Sequence, residues 1–471
     1  MRSRFTCAIR RHLRLFIAAS VLQLPWTLSL APAAPAQAQA SPDPNPSPTR
    51  DVIIGVRKDA KIGDIQRHYR TQLLLEVAPK SVYRLRVTLE NPSDPTEFPR
   101  LLTRMGLDSR RRILYAVEAP ASEFSGSSVP FDNYIWGNLQ PGDLSAQPAM
   151  GRVGLGITQP RPATGEGILV AVIDSGFVPS HPYLKDSWAS RAQRWDYLDG
   201  DDNPEDKRDG RDDDGDGQVD ESFGHGTFVA GIVHTLAMDA RIAPYRVVDS
   251  EGRVSDVLVA DAIGRALAAG ARVINLSLAL PGTSPVLSAA IQRATAAGAL
   301  VVGSAGNNGS GSPWYPAADP CALSVTAIDE AGMLAPFANY GPEVDLALPG
   351  VNVLSSFPKT RVQTAEGDRD YLYASWSGTS VAAPFVSGQA ALLLSMDPTL
   401  GPAEVAALIA ATAAPVDAVN PQRAGLLGWG LPNVSASFAL LQAGTPLSPI
   451  TDPLAECTVL SRALHRWQPY R

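Results

Sequence analysis

Cysteine is scarce in this chain of 471 residues, which contains only three. A disulfide-rich scaffold is therefore excluded. Apart from one stretch near the N-terminus, the sequence also lacks apolar runs long enough to span a bilayer, for which about 20 residues are needed. It has no internal repeat. With 45% hydrophobic and 18% charged residues, the composition is that of one large or two modest globular domains.

Charge is low overall and unevenly distributed. The formal net charge is -7, yet residues 199–221 alone contain 12 acids and 3 bases, which gives this segment -9 and the remainder about +2. The acidity belongs to one loop rather than to a field over the whole chain. We therefore do not expect nucleic acid as a partner.

The first 40 residues have the features of an export signal. Five arginines precede an apolar stretch from Leu15 to Leu30, and small-residue cleavage patterns follow at 36–38 and 38–40. Pro25 interrupts the stretch, which argues against an uncleaved anchor, and Arg10 with Arg11 leaves twin-arginine export open. We expect a signal peptide at 1–40, an exported protein in the periplasm or the medium, and no stable membrane span after cleavage.

Two cysteines, Cys321 and Cys457, remain once the signal peptide is removed. An exported protein can keep a disulfide, so a single bridge is open, as are two independent buried thiols. A bridge would pin the C-terminal tail (446–471) to the preceding domain.

A small unit follows a proline-rich linker. Its patterns predict a strand at 51–57, a helix at 62–77, a strand at 82–87, a short helix at 95–106 and a strand at 112–119. This order is typical of a split βαβ unit, which we assign to 41–120. The next segment is rich in Ser, Pro and Gly, and it indicates a linker and connecting arm (121–164).

Apolar strands alternate with helical patterns from Gly165 onward, which predicts a parallel sheet covered on both faces. Helices are predicted at 254–269 and 285–297, each closed by a glycine, Gly270 and Gly298. The candidate strands are 168–174, 240–248, 271–278, 299–306, 322–328 and 344–350.

Four polar residues lie where strands end or helices begin. In such sheets, ligands bind at the carboxyl ends of the strands. Taken one at a time, Asp174 and Ser380 could be helix caps, His225 a helix-start residue between glycines, and Asn307 a turn residue. Taken together they form the set that acyl transfer needs. Serine is activated by an imidazole, a carboxylate fixes the tautomer of that imidazole, and an amide can stabilise the oxyanion.

Five motifs, AVIDSG, GHGTFVAGI, VINLSL, SAGNNG and SGTSVAAP, occur in this order and resemble those of the subtilisin-like serine peptidases over about 165–440. The resemblance implies an α/β, three-layer fold with a mostly parallel sheet, preceded by a small α+β prodomain, and a peptidase domain at 165–445. It also implies that Asp174 orients His225, that His225 is general base and then general acid, that Ser380 is the nucleophile, and that Asn307 is the oxyanion donor.

The same resemblance implies a substrate-binding region. Extended substrate would pair with Leu276, Ser277, Leu278 and Ala279, and the pocket before the scissile bond would be lined by Ser304, Ala305 and Gly306. Two departures stand out: Phe228 replaces a histidine frequent in the family, and Ala279 replaces a glycine, which adds a methyl group beside the substrate strand.

The implied function is that of an exported serine endopeptidase acting on protein or peptide substrates, as a monomer whose own prodomain serves as an intramolecular inhibitor. The alternative is a catalytically inactive scaffold or binding protein that keeps the fold. Against that alternative, all four catalytic positions are intact.

The acidic loop before His225 predicts a structural calcium site. Asp212, Asp214, Asp216, Gln218 and Asp220 fall at positions 1, 3, 5, 7 and 9 of an oxygen-ligand loop with Gly217 at the sharp turn. Position 12 is Phe223 rather than the bidentate Glu of a helix-flanked loop. A solvated acidic loop is the alternative, but carboxylates this crowded repel one another without a cation.

Overall fold

The structure is a computed structural model. It describes residues 49–56, 60–78, 82–94, 96–106, 108–111, 113–118, 141–155, 161–212, 218–364, 367–444 and 457. The predicted signal peptide and most of the C-terminal tail lie outside the described residues.

The N-terminal unit is a four-stranded antiparallel sheet with two helices. Its strand order is β2-β3-β1-β4, and its small core includes Val52, Ile54, Ile65, Leu85 and Met105. The sequence β-α-β-β-α-β is that of a split βαβ unit. In chain order the elements are β1 (Thr49–Val56), α1 (Ile62–Tyr69), β2 (Gln72–Ala78), β3 (Val82–Thr88), α2 (Glu97–Gly106) and β4 (Ile113–Glu118).

The prediction of one helix over 62–77 is wrong in its second half. Helix α1 ends at Tyr69, because Arg70 adopts a left-handed conformation with φ 52° and its N–H bonds to the carbonyl of Gln66. Residues 72–78 instead pair with β3 as an edge strand, with Leu73 opposite Leu85. Pairing with a neighbouring strand overrides the helix propensity of this leucine-rich run.

The larger part of the chain is built on a second sheet. Its elements are α3 (Pro141–Ala146), α4 (Pro148–Arg152), β5 (Leu169–Asp174), β6 (Trp195–Asp196), α5 (His225–Leu236), β7 (Arg241–Arg246), α6 (Asp256–Ala268), β8 (Val273–Leu276), α7 (Pro285–Ala296), β9 (Leu300–Ser304), β10 (Leu323–Ile328), β11 (Leu346–Pro349), β12 (Val353–Thr364), β13 (Gly367–Trp376), α8 (Thr379–Met396), α9 (Pro402–Ala411) and α10 (Val434–Gln442).

Seven of these strands form one parallel sheet in the order β11-β10-β9-β8-β5-β7-β6. All six predicted strands are present, slightly shorter at their ends, and both predicted helices correspond to α6 and α7. Strand β5 is buried at every residue, as expected for a parallel strand covered on both faces. The predicted α/β three-layer fold is therefore confirmed.

Two strands outside the sheet were not predicted. β12 and β13 form an antiparallel hairpin whose register shifts between Ser356 and Thr360, around Pro358. Its first strand runs along α5, where Ser355 and Ser356 donate hydrogen bonds to the carbonyls of Phe228 and Thr227. The hairpin thus covers the helix that His225 begins.

Part of the predicted connecting arm packs on the core. Met150 of α4 is fully buried in the main hydrophobic cluster. Gln147 acts as a strand partner, because its side-chain amide donates to the carbonyl of Leu354 (2.8 Å) and its oxygen accepts the Leu354 N–H (2.9 Å).

Within the described part of the chain, α8 alone has the length and apolarity to cross a membrane, and most of this helix is buried inside the fold.

Candidate active site

Three elements meet at the carboxyl edge of the large sheet. Strand β5 ends at Asp174, helix α5 begins at His225, and helix α8 has Ser380 as its second residue. This edge is where ligands bind in open parallel sheets.

Asp174 and His225 form a buried hydrogen-bonded pair. Oδ1 of Asp174 lies 2.7 Å from Nδ1 of His225, and the same oxygen accepts the backbone N–H of Ser175 at 2.7 Å. The carboxylate oxygen accepts this bond, so Nδ1 of His225 donates, and this tautomer leaves Nε2 as the ring nitrogen that can accept a proton. The rings of His225 and Trp376 pack edge to face, with their centroids 5.1 Å apart.

Ser380 and Asn307 face the same small space beside Gly378. A Cβ atom on Gly378 would lie 2.9 Å from Oγ of Ser380 and 3.5 Å from Nδ2 of Asn307. Glycine at this position therefore keeps the space between the serine hydroxyl and the amide open. The first distance is too short for a real carbon contact, so a side chain here would displace the Ser380 hydroxyl.

Thr379 holds the amide of Asn307 in place. Oδ1 of Asn307 accepts the backbone N–H of Thr379 at 2.8 Å and its hydroxyl at 2.9 Å, while the same hydroxyl accepts the N–H of Gly306 at 3.0 Å. Because the oxygen takes both donors, the nitrogen of Asn307 is the end that faces Ser380.

The carbonyl of Ser380 has a partner outside its helix. Pro384 lies inside α8 and has no N–H, so the carbonyl four residues earlier, that of Ser380, cannot form its helical hydrogen bond. Ser277 supplies the missing donor through its hydroxyl, at 2.7 Å. The side chain of Ser277 is therefore engaged with the helix that carries Ser380, which leaves its backbone as the part that can pair with an extended chain.

A chain of buried polar groups supports Ser277 in turn. Nδ2 of Asn275 donates to the Ser277 hydroxyl at 2.9 Å. The hydroxyl of Ser387, which lies further along α8 than Ser380, donates to Oδ1 of Asn275 at 2.8 Å. These bonds tie β8 to α8 near Ser380.

The residues predicted to bind substrate lie on two adjacent segments. Leu276 ends β8, Ser277, Leu278 and Ala279 follow it, and all four are buried. Ser304 ends β9, and its hydroxyl donates to the carbonyl of Leu278 at 3.2 Å, which joins the two segments.

Ala305 and Gly306 continue from β9 toward Asn307. The N–H of Ala305 donates to the carbonyl of Val325 at 2.9 Å. Gly306 has φ 103°, and a Cβ atom there would lie 2.5 Å from Nδ2 of Asn339. Both the backbone angle and the close neighbour require glycine at this position.

The predicted calcium loop is only partly described. Asp214 and Asp216 lie outside the described residues, whereas Asp212 and Gln218 are exposed. The carboxylate of Asp220 accepts the N–H of Asp209 (3.0 Å) and of Gly210 (2.8 Å), so it ties the two ends of the loop together. In the described part of the chain, no three His, Cys, Asp or Glu side chains are gathered as a metal site.

Cys321 and Cys457 form a disulfide in the structure. Cys321 lies just before β10, so the bond attaches residue 457 of the predicted tail to the large domain, where Cys457 is buried.

Several residues of the site were not singled out in the sequence. Thr379 could have been noticed because it lies beside Ser380 at a helix start, and Asn275 because it is a polar residue inside a buried apolar strand. Trp376 and Pro384 carry no signal in isolation, since their roles depend on neighbours that are distant in sequence.

Comparison with known proteins identifies the family. The model of the subtilase family, Peptidase_S8, matches residues 165–430. Subtilisin Savinase of Lederbergia lenta is 32% identical over 286 residues, covering 59% of this chain and 93% of the relative. Thermitase of Thermoactinomyces vulgaris is 33% identical over 243 residues, covering 50% and 77%.

Solved structures agree on the fold. The crystal structure of fervidolysin from Fervidobacterium pennivorans, described as a keratinolytic enzyme related to subtilisin, superposes with a TM-score of 0.63 at 22% identity and covers 85% of this chain and 62% of that one. Because the family model matches more than half of the chain and Savinase is matched over nearly its whole length, the chain belongs to the subtilase family of serine proteases.

Proposed function

We propose that this subtilase is an exported serine endopeptidase that uses Asp174, His225, Ser380 and Asn307. The observation that carries the proposal is the joint geometry of the site. Asp174 is bonded to Nδ1 of His225, and the Ser380 hydroxyl and the Asn307 amide nitrogen border one small space.

Acylation begins with attack of Ser380 Oγ on the carbonyl carbon of the scissile peptide bond. Nε2 of His225 takes the hydroxyl proton, and Asp174 stabilises the imidazolium that forms and keeps its orientation. The carbonyl oxygen becomes an oxyanion, which accepts hydrogen bonds from Nδ2 of Asn307 and from the Ser380 N–H.

Collapse of the tetrahedral intermediate breaks the C–N bond. His225 gives its proton to the leaving amine, and the acyl group stays on Ser380 as an ester. Water then attacks the ester with His225 again as base, which releases the carboxylic acid and restores the serine hydroxyl. The substrate chain is held by backbone pairing along Ser277–Ala279, because the Ser277 side chain is engaged with the Ser380 carbonyl.

Replacing Ser380 with Ala tests the assignment. We expect casein hydrolysis and labelling by a fluorophosphonate to be lost while the melting temperature stays close to that of the wild type. An inactive scaffold would instead leave the wild-type chain unlabelled. Wild-type turnover in the Ser380→Ala variant would refute the role of this serine.

The N-terminal unit is proposed to act as prodomain, in folding and as a temporary inhibitor. Its edge strand β2 contacts α6, a helix that flanks the large sheet, and this contact supports the proposal. The loop-rich sequence after Pro120 offers accessible backbone for processing.

Calcium is proposed to bind the loop of Asp212, Asp214, Asp216, Gln218 and Asp220. The donors are carboxylate oxygens and the backbone carbonyl of Gln218, which suit a hard cation. When bound, Ca²⁺ would neutralise the crowded carboxylates and fix the loop. Asp220 lies five residues before His225 and its N–H donates to the buried Glu251, so an ordered loop would fix the chain that leads to His225.

Export to the periplasm or the medium is proposed on the N-terminal signal pattern together with the disulfide, which persists in oxidising compartments. The partners are then protein or peptide substrates and the prodomain itself, and the mature enzyme is proposed to be a monomer.

A further inference from the structure

Asp206 is a buried carboxylate that the chemistry above does not use. It belongs to the acidic segment between β6 and α5, yet only 7% of the residue is exposed. The backbone around it is docked on the chain that follows β5. The N–H of Phe177 donates to the carbonyl of Pro204 at 3.0 Å, and the N–H of Asp206 donates to the carbonyl of Phe177 at 3.0 Å.

Glycine at two positions permits this close backbone packing. A Cβ atom on Gly176 would lie 2.8 Å from the carbonyl oxygen of Pro204 and 3.0 Å from the N of Asp206. Likewise, a Cβ atom on Gly226 would lie 2.2 Å from the carbonyl oxygen of Gly176. The segments that carry Asp174, Asp206 and His225 are therefore packed backbone to backbone.

One oxygen of Asp206 joins the two halves of the catalytic pair. Its Oδ2 accepts the hydroxyl of Ser175 at 3.1 Å and the N–H of Gly224 at 2.6 Å. Ser175 is the residue after Asp174, and Gly224 is the residue before His225. Oδ2 thus bridges the neighbours of the acid and of the base.

Ser175 adds a second connection. Its hydroxyl accepts the N–H of Gly226, on the other side of His225, at 3.0 Å. Its own N–H donates to Oδ1 of Asp174, the oxygen that binds Nδ1 of His225. These hydrogen bonds and the chain itself close a ring. It runs from Asp206 through Gly224 to His225, on to Asp174, and through Ser175 back to Asp206.

We infer that Asp206 is a positioning residue that fixes the orientation of His225 relative to Asp174, an inference that rests on the proposed function. The catalytic imidazole must be held within a fraction of an ångström of its productive geometry, and a displacement of 1 Å can cost about a hundredfold in rate. The backbone on both sides of His225 is held through Asp206 Oδ2 and the Ser175 hydroxyl, so loss of the carboxyl group frees the helix start that carries the base.

Hydrogen-bond acceptance, rather than charge, is the property that matters at neutral pH. Burial, assisted by the charge of Asp174, raises the pKa of Asp206 to about 8 against the opposing hydrogen bonds from Gly224 and Ser175 and the charge of Arg246. The carboxyl group is then mostly protonated at pH 7, and its Oδ2 can accept as a carbonyl oxygen. An asparagine in its place offers the same acceptor without the charge.

The test compares Asp206→Ala with Asp206→Asn at pH 7, using a chromogenic peptide substrate. We expect Ala to lower kcat by about tenfold to a hundredfold with KM within about twofold of wild type, because ground-state binding does not involve this residue. Asparagine should restore kcat to within about threefold of wild type. Should Asp206→Ala fail to fold, Ser175→Ala opens the same ring from the other side, and its kcat should fall with KM unchanged.

Asn420→Ala is the matched control. Asn420 is also 7% exposed and buries its side chain in hydrogen bonds with Leu334 N–H, Gly332 O and Val416 O, on a loop that carries no catalytic residue. Its loss should lower the melting temperature without changing kcat.

The outcomes separate this inference from the proposed function. If the wild type hydrolyses the peptide and Asp206→Ala keeps the kcat of the Asn420→Ala control, the positioning role is wrong while the peptidase stands. The role is equally wrong if Asp206→Asn is as slow as Asp206→Ala. A wild type with no turnover and no fluorophosphonate labelling would instead overturn the proposed function.

Discussion

Thr379 offers the sharpest test of how Asn307, the proposed oxyanion donor, is held. Changing it to Val keeps the shape of the side chain and removes one hydroxyl, which donates to Asn307 Oδ1 and accepts the Gly306 N–H. The backbone bond from Thr379 N to Asn307 Oδ1 remains. Asn307 therefore keeps one of its two donors, and we expect it to be loosened rather than lost.

The magnitude follows from the bonds that are removed. A neutral hydrogen bond is worth about 1 kcal/mol, so two lost bonds weaken the site by about 1 to 2 kcal/mol, or about 5- to 30-fold in kcat. Removing the donor altogether with Asn307→Ala should cost about a hundred- to a thousandfold. If Thr379 acts through Asn307, adding Thr379→Val to Asn307→Ala should cost less than about twofold more.

The assay is steady-state hydrolysis of a chromogenic peptide, with kcat and KM determined separately for the two single variants and the double variant. Thr235→Val is the control, because its buried hydroxyl also makes two bonds, with Gly231 O and Tyr183 OH, on α5 well away from His225. It should leave kcat unchanged. Equal losses from Thr379→Val with and without the Asn307 side chain would refute the reasoning, since the two residues would then act independently.

Three further predictions concern stability and activation. Chelation of calcium should lower the melting temperature and the activity together, because calcium at 100 times its dissociation constant adds about 2.7 kcal/mol to the free energy of unfolding. The double change Asp214→Ala and Asp216→Ala should remove this response. A wild type whose melting temperature and activity do not change on chelation would contradict the site. The folded-state pKa of Asp206 is raised to about 8, so between about pH 5 and 8 the folded chain keeps a proton that the unfolded chain releases. The free energy of unfolding of the wild type, measured in denaturant titrations, should therefore fall over this range by up to about 1.4 kcal/mol per pH unit relative to Asp206→Asn. Parallel plots of stability against pH for the two proteins would contradict the buried acid. Activity should appear with cleavage between Pro120 and Gly165, and full activity of the uncleaved chain would rule out an inhibitory N-terminal unit.

The large sheet could be predicted because its strands are short apolar runs buried on both faces. In β5 every residue is apolar up to Asp174, so both the strand and its end are visible in the sequence. The proposed catalytic residues follow such strand ends or lie at helix starts, which is why the motifs could be read in order. Their placement at one edge agrees with that interpretation, and their roles stay predictions until the serine is replaced.

Strand β2 shows where local pattern is insufficient. The run QLLLEVA favours a helix by propensity, and nothing within it marks an edge strand. Its state is decided by β3, with which it pairs antiparallel. The support of the Ser380 carbonyl shows the same limit over a longer distance, because Pro384 removes one hydrogen bond and Ser277, more than 100 residues earlier in the chain, replaces it.

The sequence and the structure give different estimates of the charge repulsion within the acidic segment (199–221). From the sequence alone, each of its 12 acidic residues contributes equally to the repulsion. In the fold, Asp199 pairs with Arg246 and Lys207, Asp202 pairs with Arg191, and Asp206 turns inward, where its raised pKa keeps it mostly uncharged at neutral pH.

Those pairings remove much of the repulsion that the sequence alone attributes to the whole segment. What remains is concentrated in the run from Asp209 to Asp216, where the carboxylates are closest in sequence. The electrostatic argument for calcium therefore depends on that run and not on the net charge of the loop. It follows that neutralising Asp214 and Asp216 should abolish the calcium response, whereas neutralising Asp202, which already has Arg191 as partner, should leave it intact.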